Sequence, residues 1–330
     1  MDDYWVWCGS VIRATNPGED GRFHMFAARF PRNLSREGYW TTHYEIVRAS
    51  SDTADGPYQF ESHVLPPRDP RFFDGRVTCN PCIRHFRGRY YLYYVGITYD
   101  FDPPTPADPI REPEPAKYSY RWRKAWESKR VGLAVADSIL GPWTRMDRPL
   151  IEPRPGKWDA MITSNPSIAI RDDGYTLLVY KSRPHWDAPF NIAFAHAPTP
   201  EGPFERLGDG PAFPFDCEDP CLWFEGGRYQ LIVKDFHGTV CGESYAGIYL
   251  SSADGKDWKL GEPPLAYSCT IGWDDGTSTD CARVERASVL LDGGRATHVC
   301  FAVNDEGIRF QPPPYSRNIV VPLRPLLETI

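Results

Sequence analysis

RVGLAVADSILGPWTR (130–145) decides the fold: an apolar β run, a small polar turn, then Gly-Pro and an aromatic residue. The chain writes this phrase again as YEIVRASSDTADGPYQF (44–60) and NIAFAHAPTPEGPFER (191–206), with a degenerate copy, GIYLSSADGKDWKL, at 247–260. A second phrase stands upstream of three copies: CNPCIRHFRGRYYLYYVG (79–96), SNPSIAIRDDGYTLLVYKS (164–182) and EDPCLWFEGGRYQLIVKD (218–235). A unit of two or three strands cannot bury both its faces alone and must stack on its neighbours. The expected fold is therefore all-β, a five-bladed β-propeller forming one domain over 1–330, with blades near 5–65, 74–151, 158–213, 217–266 and 273–330. The tail SRNIVVPLRPLL reads as one more strand, and a last blade completed from both chain ends would fasten the ring. The Pro-rich, charged stretch near 100–128 reads as a long loop inserted in blade two, of the kind that shapes a site.

Composition agrees. Of 330 residues, 14% are aromatic, with 33 Pro and 27 Gly, as short strands joined by many turns require. The net charge of −7, with no block of like charges, gives no electrostatic footprint for nucleic acid. No apolar run is long enough to predict a membrane span. The opening MDDYWVWCGS is acidic and does not read as a secretory signal, so the expected location is cytoplasmic, or secreted or periplasmic if a leader has been removed. Nine cysteines include a CxxC pair, Cys79 and Cys82, and a CxxxC pair, Cys217 and Cys221. Zinc or redox use is one reading; small buried residues beside the Asn-Pro and Asp-Pro turns of first strands is the better one.

The inner strands of a propeller begin around the axis, and here four begin with polar groups: Asn80-Pro81, Asn165-Pro166, Glu218-Asp219-Pro220 and Glu285-Arg286. Buried charges need partners, so these groups make either a structural network or a site. Asp74 and Asp159 each stand six residues before an inner-strand Asn, as axial carboxylates or as Asx turns. Lys181 and Lys234 end equivalent second strands and could meet an anion or a sugar carboxylate; KDFHG puts His237 in a loop. Trp5, Trp7, Trp158, Trp186, Trp223 and Trp273 are available as sugar-stacking platforms, most of them needed for packing. Carboxylates in an aromatic-lined cleft suit glycosidic cleavage, one donating a proton to the leaving oxygen, another activating water or attacking the anomeric carbon.

On GRYYLYYVG and VGLAVADSILGPWTR the chain resembles the five-bladed propeller glycoside hydrolases of family 43 and the related families 32, 117 and 130. The resemblance covers nearly the whole chain and implies an exo-acting hydrolase of a plant, algal or microbial glycan. It implies a base Asp opening blade one, a modulating Asp opening blade three and an acid Glu opening blade four. Glu218 matches the acid; Asn165 stands at the modulating position and Cys8 at the base position. Two acidic positions are thus lost, and Glu285, Asp219, Asp159 and Asp74 are the available replacements. Asn80, Asn165 and Arg286 would then orient sugar hydroxyls or a carboxylate. No cofactor is required, and an axial cation is conceivable without an evident ligand cluster. A lyase acting through His237 or Tyr245, or a carbohydrate-binding propeller without catalysis, are the alternatives.

Overall fold

The computed structural model describes residues 3–34, 36–105, 107, 119–304 and 316–323. They form five small antiparallel sheets in a ring, a five-bladed β-propeller. Blade one is β1 (Tyr4–Arg13), β2 (Phe23–Pro31), β3 (Glu45–Ser51) and β4 (Gln59–His63), with helix α1 (Arg36–His43) between β2 and β3. Blade two is β5 (Val77–Phe86), β6 (Arg89–Ile97), β7 (Arg130–Ala136) and β8 (Thr144–Arg145), with helix α2 (Tyr120–Glu127) before β7. Blade three is β9 (Ser164–Ile170), β10 (Thr176–Ser182), β11 (Asn191–Ala197) and β12 (Glu205–Arg206). Blade four is β13 (Cys217–Glu225), β14 (Arg228–Asp235), β15 (Gly247–Ser252) and β16 (Lys259–Tyr267). A hairpin, β17 (Thr270–Gly272) and β18 (Ser278–Asp280), leads into blade five: β19 (Arg283–Asp292), β20 (Arg295–Asn304) and β21 (Ser316–Pro322). Among the described residues no helix is long and apolar enough to cross a membrane.

The repeated Gly-Pro phrase is the turn from third to fourth strand. Gly56, Gly141 and Gly202 sit at φ +95, +87 and +99°, where a side chain is strained, and Gly56 N, Gly141 N and Gly202 N donate to Thr53 O, Ser138 O and Thr199 O. The aromatic that follows comes back onto the blade; Trp143, for example, meets Phe26 edge-on at 5.6 Å.

Two expectations change. The insertion is not all loop: its described part contains α2, capped by the Ser119 hydroxyl, which accepts from Trp122 N at 3.4 Å. Residues 106 and 108–118 of it lie outside the described residues. Among the described residues the ring is also not fastened by an exchanged strand. β1 is the innermost strand of its own blade and β21 the third strand of blade five. Side chains make the seam instead: Val6 N donates to Ser316 Oγ and Gly9 N to Asn318 Oδ1, both at 3.0 Å. Gly9 has to be glycine here, since a Cβ would come within 2.8 Å of Cys300 Sγ and 2.9 Å of Asn318 Cγ.

Candidate active site

Each inner strand carries one irregularity at the same place. The pairing register of β1, β5, β9, β13 and β19 with their neighbours breaks at a bulge. The bulged residues are Cys8, Asn80, Asn165, Asp219 and Arg286, all at positive φ between 50 and 59°. Asn and Asp tolerate that backbone; Cys8 and Arg286 adopt it because the blade repeat demands it. The following positions, Gly9, Pro81, Pro166, Pro220 and Ala287, line a narrow axial channel, and proline is tolerated because a bulge needs no ladder donor there.

The bulge turns the five side chains toward one another in a belt around the axis. The Cys8 thiol donates to Asn80 Oδ1 (3.3 Å), Asn80 Nδ2 to Asn165 Oδ1 (2.7 Å), and Asn165 Nδ2 to Asp219 Oδ1 (2.7 Å). Arg286 closes the ring, donating to Asp219 Oδ1 at 3.3 Å and lying beside Cys8. Burial pushes the Cys8 thiol up to about 12, so it is a neutral donor and not a base. Asn80 and Asn165 thus spend their amides on the belt, while Arg286 gives Nη1 to it and keeps a buried Nε without a partner among the described residues.

Glu218 and Glu285 each precede a belt residue and rise toward the end of the axis where the inner strands begin. In register opposite Glu218 on β14 stands Lys234, and opposite Ser164 on β10 stands Lys181. The equivalent second-strand positions in blades one, two and five are Ala28, Val95 and Ala302. The Lys234 ammonium, 1% exposed, sits between Glu218 (2.6 Å), Glu285 (2.9 Å) and Asp219 (3.2 Å). Lys181 holds the other Glu218 oxygen at 2.6 Å, and Arg283 holds Glu285 at 3.1 Å. Oxygens of the three carboxylates come within 4.8 Å of one another, a donor set that would attract a hard cation, but the Lys234 ammonium stands at their centre and these residues do not fit a metal. The lysines override burial and hold Glu218 well below the usual carboxylate range, and Lys234 with Arg283 brings Glu285 to about 2.

Among the described residues, the connections between second and third strands of blades one to three gather at this end and, with Phe236 of blade four, stand beside the carboxylates. α2 packs Trp122 and Trp126 against Trp40 of α1 and Trp186 of the blade-three loop. The Arg183 guanidinium lies 4.7 Å over Trp126, 4.8 Å over Trp186 and 4.5 Å over Phe190, and Lys181 lies 4.3 Å over Phe190. Phe190 stacks on Phe236. Lys129, just after α2, puts its ammonium over Trp40 at 4.0 Å and Trp126 at 4.6 Å.

Several expected site residues lie elsewhere. Asp74 is fully buried in a clamp with Arg68 (2.6 Å), Tyr94 (2.7 Å) and Arg145 (3.3 Å). Asp159 repeats it in blade three with Arg154, Tyr180 and Arg206, each at 2.9 Å. Both tie the approach to an inner strand onto the blade that follows and present no oxygen to a substrate, which corrects Asp159 as a catalytic candidate and Asp74 as a binding one. His237 lies on the blade-four connection next to Phe236, exposed and bonded to Asp216 at 3.1 Å. Trp5, Trp7 and Trp223 are core residues. Trp186 is the one tryptophan of the expected set in the aromatic wall; Trp40, Trp122 and Trp126, with Lys129 and Arg183, were not anticipated, because only the path of the insertion brings them to the axis.

Comparison with solved structures places this architecture. A family 117 glycoside hydrolase, Zg3597 of the marine bacterium Zobellia galactanivorans, superimposes with a TM-score of 0.64 at 18% identity over 97% of this chain and 84% of its own. The chain has the fold of the five-bladed glycoside hydrolases. CoXyl43, a family 43 β-xylosidase/α-arabinofuranosidase from a compost microbial metagenome, gives 0.60 at 14% identity over 98% and 92%. A family 43 enzyme from Xanthomonas citri gives 0.57 at 14% over 98% and 90%. No protein-family model matches the chain, and no curated protein matches it.

Proposed function

We propose that the protein is a glycoside hydrolase acting on a carbohydrate in this cleft, with Glu218 and Glu285 as the carboxylates of the reaction. The observation that carries the reading is a pair of glutamates within 4.8 Å of each other at the foot of an aromatic-walled cleft, on a fold shared with glycoside hydrolases. Walls on α1, α2 and the blade-three loop close one side of the cleft, which favours exo action on a chain end.

The electrostatics reassign the roles. A general acid needs a proton, and Glu218 between two ammonium groups keeps none at neutral pH. Glu218 is therefore the base for water, Glu285 stabilises the positive charge that develops at the anomeric centre, and the Lys181 ammonium gives its proton to the leaving oxygen. The proton that Glu218 takes from water returns to Lys181 across their 2.6 Å hydrogen bond.

The test is a panel of aryl glycosides and natural oligosaccharides with products read by mass. Addition of one water is expected, and Glu218→Gln should lower turnover by about 10²–10⁴. Lys181→Met should lose natural substrates while retaining glycosides with activated aryl leaving groups, and should move the acid limb of the pH profile upward, because Glu218 loses one cation. Full activity of Glu218→Gln overturns the assignment. An unsaturated product without water would mark a lyase, and binding without turnover a lectin-like propeller.

A further inference from the structure

Lys129 is the cation at this site that the hydrolytic scheme leaves unused. It is 3% exposed, yet no carboxylate among the described residues pairs with it; its ammonium contacts only the faces of Trp40 and Trp126. Lys181 and Lys234 are matched to Glu218, Arg283 to Glu285 and Arg286 to Asp219. A buried cation without an anion is costly, and an apolar side chain between two indoles would pack without that cost. Lys181, Arg183 and Glu218 of the site lie within electrostatic reach of the Lys129 amine, as does the core thiol of Cys79. Two of these are cations, which an arriving negative charge would relieve. The Arg183 fork lies on the same Trp126 ring as Lys129, and such a planar donor set suits carboxylate and sulfate oxygens.

We propose that the cleft takes an acidic sugar, one carrying a carboxylate or a sulfate ester, with the anionic group held by Lys129 beside Arg183 and the sugar ring against the Trp126, Trp186 and Phe190 wall. This rests on the carbohydrate reading above and names its substrate class. Burial and the neighbouring cations hold the Lys129 amine well below its ordinary range; an anion beside it raises it again, so at pH values between the free and the bound titrations binding takes up a proton.

The experiment is titration calorimetry of the full chain with matched sugars: glucuronate against glucose, galacturonate against galactose, and galactose 6-sulfate against galactose, each in two buffers of different ionisation enthalpy. One charged sugar should bind about tenfold tighter than its neutral parent or better, with a heat that depends on the buffer. The carboxylate and sulfate arms tell the two acidic groups apart. In Lys129→Met the preference and the buffer dependence should both vanish; Lys129→Arg should keep much of the preference and lose the proton uptake. The exposed Lys259→Met should change neither. Equal affinity for charged and neutral sugars, or a preference that survives Lys129→Met, overturns the proposal while leaving the carbohydrate reading intact. Binding of acetate or sulfate that needs Lys129, with no sugar bound, would keep the anion site and remove the sugar. No binding of any of these probes removes both.

Discussion

Lys234 and Lys129 are both buried lysines near one axis, and their surroundings give them opposite effects on stability. Lys234 is the common counter-ion of Glu218, Asp219 and Glu285. Removing it leaves three carboxylates facing one another. Lys234→Met should cost about 3–5 kcal/mol, and adding Glu285→Gln should recover part of it; urea denaturation of the single and double variants measures both. Lys129 behaves the other way. Its folded amine is held well below the usual 10.5 while the unfolded chain keeps that value, so the unfolded state binds more protons between the two. That penalty is complete below the folded value and fades as pH rises to 10.5. Lys129→Met should therefore melt higher than the parent at neutral pH, with the gain shrinking toward pH 10.5, as melting curves across that range would show. Glu218, Glu285 and Lys181 were legible as candidates because glutamates opening an inner strand and a lysine ending an apolar strand break the local pattern. Lys129 was not, because LysArg before a β run looks like any solvated boundary until the helix preceding it is placed.

At the scale of the strand, the inner bulge decides what reaches the axis. One residue per blade goes left-handed and the next is small or proline; the residue before it is a site carboxylate in blades four and five, Glu218 and Glu285, and a core residue in blades one and two, Trp7 and Cys79. Asn165→Ala should cost about 1–3 kcal/mol, because Asn80 Nδ2 loses its acceptor in a buried setting and Asp219 Oδ1 keeps only Arg286; a shift of the chemical-denaturation midpoint with unchanged slope is the expected result. The Asn-Pro and Asp-Pro pairs made this position readable in blades two to four. In blades one and five the same bulge is written Cys-Gly and Arg-Ala without a proline; Glu285-Arg286 was still readable as an inner-strand start and Cys8 through the family resemblance, while the shared left-handed bulge shows only in the fold. The bulge also explains why Cys8 and Asn165 need no acidic counterpart: they are belt members. Asp74 and Asp159, which share a six-residue spacing with the belt asparagines, owe that spacing to a clamp that repeats with each blade and not to a site.

For the whole molecule, the ring closes by side chains between the first and last blades. Ser316 and Asn318 of β21 bond the backbone of β1 in place of a shared strand. Asn318→Ala should lower the melting temperature and raise hydrogen exchange first in β1 and β21, since the seam is where the ring can part. The number of blades was readable because the turn phrase recurs; the manner of closure was not, because both a swapped and an unswapped seam need an apolar strand at the C-terminal end.

The axial belt also has a direction. Cys8 gives to Asn80, Asn80 to Asn165 and Asn165 to Asp219, while Arg286 gives to Asp219 from the other side, so every arrow ends on one oxygen. The carboxylate of a single aspartate therefore orients Asn165 in blade three, which it touches, and through it Asn80 in blade two, which it does not. Chains of this kind polarise along their length. An Asp219→Asn change would not simply remove a charge: it would take away the sink, free both amides to rotate, and leave the circuit around the axis with no preferred sense of travel.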